Sequence, residues 1–353
     1  MMIPNLLPAG HKPDYMRLLR ALRREPPVDR VPFYELFVED VMVERMIGKP
    51  CSPATEIEMY YRLGHDYVNF SPELGLDQTG CLATGDTGAN NQGGTREWLN
   101  SGDGILATKS QMDAYRWPKP SARDSARFQS YLDNLPDGMG VVLRPTGVFE
   151  NVRRLMGMTP LSFALYDDET FVAEVFARVG ETILASVQYV LNHCDCTRVF
   201  AVIMGDDLGT GKGTIVAPEV LRRHVFPWMK RVADLAHALG MPFGLHSCGD
   251  NEAIMDDLIR HVGIDAKHSF QDNVMPVQDF KAKYGDRLCV LGGLDMDKLS
   301  SLALEAFEPY CREALRACMA GGSYALGTGN SPATYISLEN FYAMHRIGLE
   351  TLY

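Results

Sequence analysis

The most constraining feature of this chain is an alternation. Short apolar runs of β type recur eight times, separated by longer segments of helical period. The runs fall at 31–37 (VPFYELF), 66–70 (DYVNF), 141–146 (VVLRPT), 199–204 (VFAVIM), 242–246 (PFGLH), 264–268 (IDAKH), 287–292 (RLCVLG) and 323–327 (SYALG). Short runs without polar alternation suit strands buried on both faces of a parallel sheet. Between them, Phe171, Val175, Val179, Ile183, Val187 and Val190 predict a helix over 171–192. Pro218 and Glu219 open a second helix that ends before Gly240, and a third runs over 297–320 with Asp297 as its expected N-cap. Further helices are expected at 14–24, 251–262, 276–284 and 335–350. Eight strands with interleaved helices predict a closed (β/α)8 barrel, a TIM barrel of the α/β class, forming one domain over 1–353. An open doubly wound sheet would place a glycine-rich turn after its first strand, and ELFVED has no glycine. An N-terminal helical extension precedes the barrel. A long excursion over 71–140, rich in Gly, Asn and Pro, follows the second strand with room for a hairpin and a helix near 123–135.

Composition narrows the function. Lys plus Arg number 34 against 45 Asp plus Glu, a formal charge of −11, which argues against a nucleic-acid partner. No run of about 18 apolar residues predicts a membrane span. The start MMIPNLLPAGHKPDYMRLLR has no basic segment followed by an apolar one, so no secretory signal is expected. The eight cysteines then read as reduced thiols of a cytoplasmic protein.

A barrel enzyme works at the C-terminal ends of its strands. That rule selects Glu35, Ser71, Glu73, Arg144, Glu150, Asp206, Asp207, His246, Cys248, His268, Gln271, Asp295, Thr328 and Asn330. His246-x-Cys248 is the sharpest signal: an imidazole and a thiol two residues apart at a strand end face the same way, and both bind zinc. A buried cysteine beside a hydrogen-bonded histidine is the plainer reading of the same pair. Asp206-Asp207 could do acid–base work, with His268 nearby, or could cap a loop. Arg144 could clamp an anionic group or pair with Asp206. Glu35, Gln271 and Asn330 complete the expected substrate contacts. GTGKGT at 209–214 breaks the spacing of a phosphate loop and reads as a loop; Cys194 and Cys196 sit at a helix end on the wrong face of the barrel, and Cys289, Cys311 and Cys318 at packing positions.

The chain resembles the uroporphyrinogen decarboxylase superfamily, and within it the zinc-dependent, corrinoid-linked methyltransferases. The resemblance rests on RALRREPPVDRVPF at 20–33, MGDDLGTGKG and APEVLRRHVFPWMKRV within 204–232, PFGLHSCGD at 242–250, GGLD at 292–295 and GTGNSPATYISLENFYAM at 327–344. It implies a TIM barrel, often paired as a homodimer. The decarboxylases carry an Arg-rich R-Q-A-G-R-Y segment after the first strand. Here ELFVEDVMVER stands in its place, and Glu35, Glu39 and Asp40 would repel a multiply anionic porphyrinogen. The methyltransferase branch implies zinc held by His246, Cys248 and a third residue, and a corrinoid carried on a partner protein. Where that branch has its further cysteine, this chain has Thr328, so a carboxylate such as Glu150 or Asp206 is the expected third ligand. A site short of one thiolate would be more electropositive and would suit an oxygen-bearing substrate. The expected function is methyl transfer between a corrinoid or other one-carbon carrier and a small substrate. A metal-free decarboxylase-like lyase and a non-catalytic binder of a methylated or tetrapyrrole-like ligand are the alternatives.

Overall fold

A computed structural model of the chain describes all residues except 79–81, 87–94 and 100–103. Seven parallel strands run in sequence order: β1 (Tyr67–Phe70), β2 (Gly140–Leu143), β3 (Val199–Gly205), β4 (Phe243–His246), β5 (Ala266–His268), β6 (Cys289–Leu291) and β7 (Tyr324–Ala325). Neighbours in sequence are neighbours in the sheet, the order of a barrel wound in one direction.

The eighth position departs from expectation. The run at 31–37 forms no ladder strand. It joins β7 through one parallel bridge, Phe33 to Leu326, with Tyr34 N–H on Leu326 O and Leu326 N–H on Pro32 O, both 2.8 Å. Across the seam to β1, side chains replace the ladder. The Tyr67 hydroxyl accepts from Glu35 N–H and donates to Glu35 O, each at 2.8 Å, and Asn69 Nδ2 donates to the same carbonyl at 3.1 Å. The approach to β7 needs a bare α-carbon at Gly327, where a Cβ would lie 1.8 Å from Tyr34 O.

Alternation along the strands splits the core in two. Tyr34, Tyr67, Val142, Ala201, Ile203, Ala266, Cys289, Leu291 and Ala325 pack together with Leu18, Leu19 and Leu22 of the N-terminal helix Met16–Leu22. The larger cluster lies between strands and helices and includes Val141, Leu143, Phe176, Val179 and Ile183.

The helices refine the sequence reading. The excursion holds the hairpin Leu82–Asp86 with Thr95–Leu99 and the helices Lys109–Ala114 and Ala122–Leu132. The predicted 171–192 helix spans Glu169–His193, preceded by Val148–Met156 and Met158–Asp167. The 297–320 helix is two helices, Met296–Ser301 and Leu304–Met319. Its N-cap is Asp295 rather than Asp297: the Asp295 side chain accepts from Asp297 and Lys298 N–H. The break follows because Asn340 Nδ2 donates to Leu299 O and Leu302 O, carbonyls that a continuous helix would use itself. No described helix is long and apolar enough to cross a membrane.

A candidate metal centre at the strand ends

β4 ends at His246 and β5 at His268, and these two residues are register partners, so their rings meet. β3 ends one residue before Asp206-Asp207. Because successive side chains point to opposite faces, the two aspartates separate. Asp206 is fully buried and accepts from Phe149 N–H at 3.0 Å and Glu150 N–H at 2.8 Å, capping the helix Val148–Met156. Asp207 faces the loop after β4. Its Oδ1 accepts from Cys248 N–H at 2.9 Å and lies 3.5 Å from His246 Nε2. Cys248 Sγ is also 3.5 Å from that nitrogen. The ligand atoms of Asp207, His246 and Cys248 all lie within 4.8 Å of one another.

Hydrogen-bond logic fixes the tautomers. Thr328 O can only accept, so His268 Nε2, 3.1 Å away, carries a proton. Burial drives the His268 pKa well below its ordinary value, so the ring is neutral and its Nδ1 is a bare acceptor. His246 Nδ1, 2.7 Å from it, must then donate. In its neutral form His246 then carries its lone pair on Nε2, between a carboxylate and a sulfur. Such an arrangement suits a cation in its midst, and second-sphere contacts of this kind orient a metal-binding imidazole. Without a metal a proton takes that role. Burial lowers the His246 pKa, but the Cys248 sulfur and Asp207 outweigh it and push it up to about 9. Burial raises the Asp207 carboxyl, yet His246 and the Cys248 N–H hold it well below the carboxylate range. Burial lifts Asp206 to about 7 against its two backbone bonds.

The sulfur is held from two sides, by Asn330 Nδ2 at 3.4 Å and Ser269 Oγ at 3.5 Å. Ser269 is buried at φ +83°, a region that disfavours side chains and recurs at functional sites. Beneath it Lys267 is buried and donates to Ser247 O, His268 O and Ser269 O at 2.8, 2.6 and 3.1 Å, tying the ends of β4 and β5 together. Burial lowers its pKa to about 8. An imidazole nitrogen, a thiol sulfur and a carboxylate oxygen are the donor types zinc takes, and the bare Nε2 fits that ion.

The structure sorts the remaining expectations. Glu150 is not with the pair: it starts a helix and binds Arg154 four residues on, while Asp207 supplies the carboxylate. Asp206, the other carboxylate named for that role, spends both oxygens on backbone N–H groups. His268 stands behind His246, its Nδ1 on His246 Nδ1 and its Nε2 on Thr328 O. Glu35 is fully buried with both oxygens on Thr328, leaving none for a substrate. Gln271 is exposed in the turn 271–275. Asn330 reaches the sulfur rather than open space. Arg144 stacks on Phe37 at 5.0 Å and makes no ion pair with a described residue; its Nε and the Tyr34 hydroxyl are buried without partners. GTGKGT forms a small hairpin, Gly209–Thr210 with Gly213–Thr214, and Thr210 O accepts from Asp250 N–H at 2.6 Å. Sequence reasoning passed over Ser269 and Lys267. Both flank His268 in a run already marked as a strand end, the one signal that could have found them.

A parallel α/β barrel with a mixed N, S, O cluster at its strand ends defines the class: an enzyme-type TIM barrel. Residues 149–347, more than half of the chain, match the family model of uroporphyrinogen decarboxylase (URO-D), and the chain belongs to that family. No curated protein matches the sequence. Among solved structures, a methyltransferase from Methanosarcina mazei shares the fold, with a TM-score of 0.69 and 16% identity over 94% of this chain and 97% of that one. Xylanase B from Clostridium stercorarium F9 aligns over 68% of this chain and 85% of its own at a TM-score of 0.39 and 11% identity, too distant to carry weight.

Proposed function

We propose that this chain transfers a methyl group between a corrinoid, carried on a partner protein, or another one-carbon carrier and a small substrate. Zinc held by Asp207, His246 and Cys248 assists. The observation that carries the reading is the convergence of a carboxylate, an imidazole and a sulfur within 4.8 Å at the strand ends of a URO-D barrel. The fold shared with a methyltransferase supports it. Bound there, zinc supplies Lewis acidity that lowers the pKa of an acceptor group.

The chain's own residues do the rest. The His268 contact keeps the His246 lone pair on Nε2. Asn330 and Ser269 hold the Cys248 sulfur in place. Arg144, which makes no ion pair with a described residue and has a buried Nε without a partner, anchors an anionic group of the substrate. Asp207 changes the electrostatic expectation. A carboxylate in place of a second thiolate keeps the ligand charge, so the site is not more electropositive. It is harder, and hardness favours an oxygen acceptor over a thiol.

The test follows methylcobalamin demethylation, with thiol and hydroxyl acceptors in turn, for the zinc-loaded wild type, Cys248→Ala and Arg144→Ala. Transfer by the wild type alone among the first two supports the reading; transfer unchanged in Cys248→Ala overturns it. Arg144→Ala should raise KM for an anionic acceptor by about 10- to 100-fold with little change in kcat, the cost of one charge-assisted bond.

A further inference from the structure

Thr328 occupies the place where the family resemblance puts a ligand, yet every polar atom it has is engaged elsewhere. Its N–H donates to Glu35 Oε1 at 3.0 Å. Its carbonyl accepts from His268 Nε2 at 3.1 Å and from Gly293 N–H at 3.0 Å. Its hydroxyl contacts both Glu35 Oε2 and the Asn330 carbonyl. A hydroxyl has one proton. The Asn330 carbonyl can only accept, so that proton goes there. The contact with Glu35 Oε2 then needs a proton from Glu35, whose side chain is sealed from solvent. Asn330 is fixed in turn: its Oδ1 accepts from Ser331 N–H at 2.7 Å, which turns Nδ2 onto the Cys248 sulfur.

We propose that Thr328, held by a protonated Glu35, is the positioning residue of the metal centre: its carbonyl orients His246 through His268, and its hydroxyl orients Cys248 through Asn330. A threonine at this position does not subtract a ligand. It sets the direction of two others, and the carboxylate of Asp207 fills the coordination. The inference rests on the metal reading for its ligands, but not for its hydrogen bonds.

Two measurements test it. The first is the infrared difference spectrum of wild type minus Glu35→Gln at neutral pH. A protonated-carboxyl C=O band present only in the wild type is expected; a carboxylate signature there overturns the proton assignment, whatever the metal does. The second is Zn2+ affinity by chelator competition, with the spectrum of the Co2+-substituted protein. Thr328→Val should weaken binding by about 10- to 100-fold, the usual effect of losing an outer-sphere partner, and should change the cobalt spectrum. Thr328→Ser should restore both. Glu35→Gln should bind within about twofold of wild type, because a glutamine amide reproduces a protonated carboxyl donor for donor. Should Thr328→Val fail to fold, Asn330→Ala cuts the sulfur arm alone and is expected to weaken binding too. Wild-type affinity and spectrum in Thr328→Val, or a loss in Glu35→Gln as large as in Thr328→Val, overturns the proposal. A wild type that takes up neither ion sinks the metal reading and the positioning with it, while the infrared result still decides the proton.

Discussion

A sealed histidine must find a partner, and His65 and His345 find each other. His345 Nδ1 donates to Phe341 O at 2.8 Å, so its Nε2 is bare and accepts from His65 Nε2 at 3.0 Å. A proton added to the pair would set two N–H groups face to face. Burial lowers His345 to about 4 and drives His65 well below its ordinary value. The unfolded chain takes these protons near pH 6.5 and the folded chain does not, so the unfolded state binds more protons below that pH. The pair's contribution to stability therefore falls as pH drops from 6.5 toward 4. At about 1.4 kcal/mol per pH unit, each histidine should cost roughly 2 kcal/mol between pH 6.5 and 5. Urea unfolding at the two pH values, in wild type and His65→Phe, checks this: the stability lost between them should be smaller in the variant by roughly 2 kcal/mol, and an equal loss in both refutes it. Nothing in the sequence pointed to this pair, because its members stand 280 positions apart. His246-x-Cys248 was legible because strand alternation aims both side chains the same way. Its third member was not, because the choice among Glu150, Asp206 and Asp207 depends on which of two adjacent aspartates turns toward β4.

At the scale of the element, the cap of the helix Val148–Met156 comes from another strand's end. Asp206 sits so close that a Cβ at Gly147 would lie 2.1 Å from its side-chain carbons. Gly147→Ala should therefore destabilise the fold by about 1–3 kcal/mol, the range for overpacking a filled site, although its φ of −84° suits alanine. A lowered denaturation midpoint with unchanged slope supports this; an unaltered midpoint contradicts it. Long periodic helices such as Glu169–His193 were readable because their buried stripe repeats over several turns. The short helices Asp40–Ile47 and Pro53–Leu63 passed unseen, because two or three turns are too short to define a period. The split at Leu302–Ala303 depends on Asn340, which no local pattern foretells.

For the whole molecule, seven of the eight apolar runs were legible as strands, but the eighth position and the manner of closure were not. A ladder and a side-chain seam look alike in VPFYELF. If the Tyr67 hydroxyl closes the barrel, Tyr67→Phe leaves the buried Glu35 N–H without its acceptor and should cost about 1–3 kcal/mol, read as a lower Tm; an unchanged Tm would mean the seam needs no such bond. The seam ends on Glu35, which supports Thr328, so closure and site share one residue. The proposed function rests on which carboxylate joins His246 and Cys248 in a metal site. The deciding measurement is zinc content, after purification without chelator or metal-binding tag, of the wild type and the Asp207→Ala, His246→Ala, Cys248→Ala and Glu150→Ala variants. About one zinc per chain is expected in wild type and Glu150→Ala, and its loss from the other three. Full zinc in Asp207→Ala, loss in Glu150→Ala, or none in the wild type would contradict it.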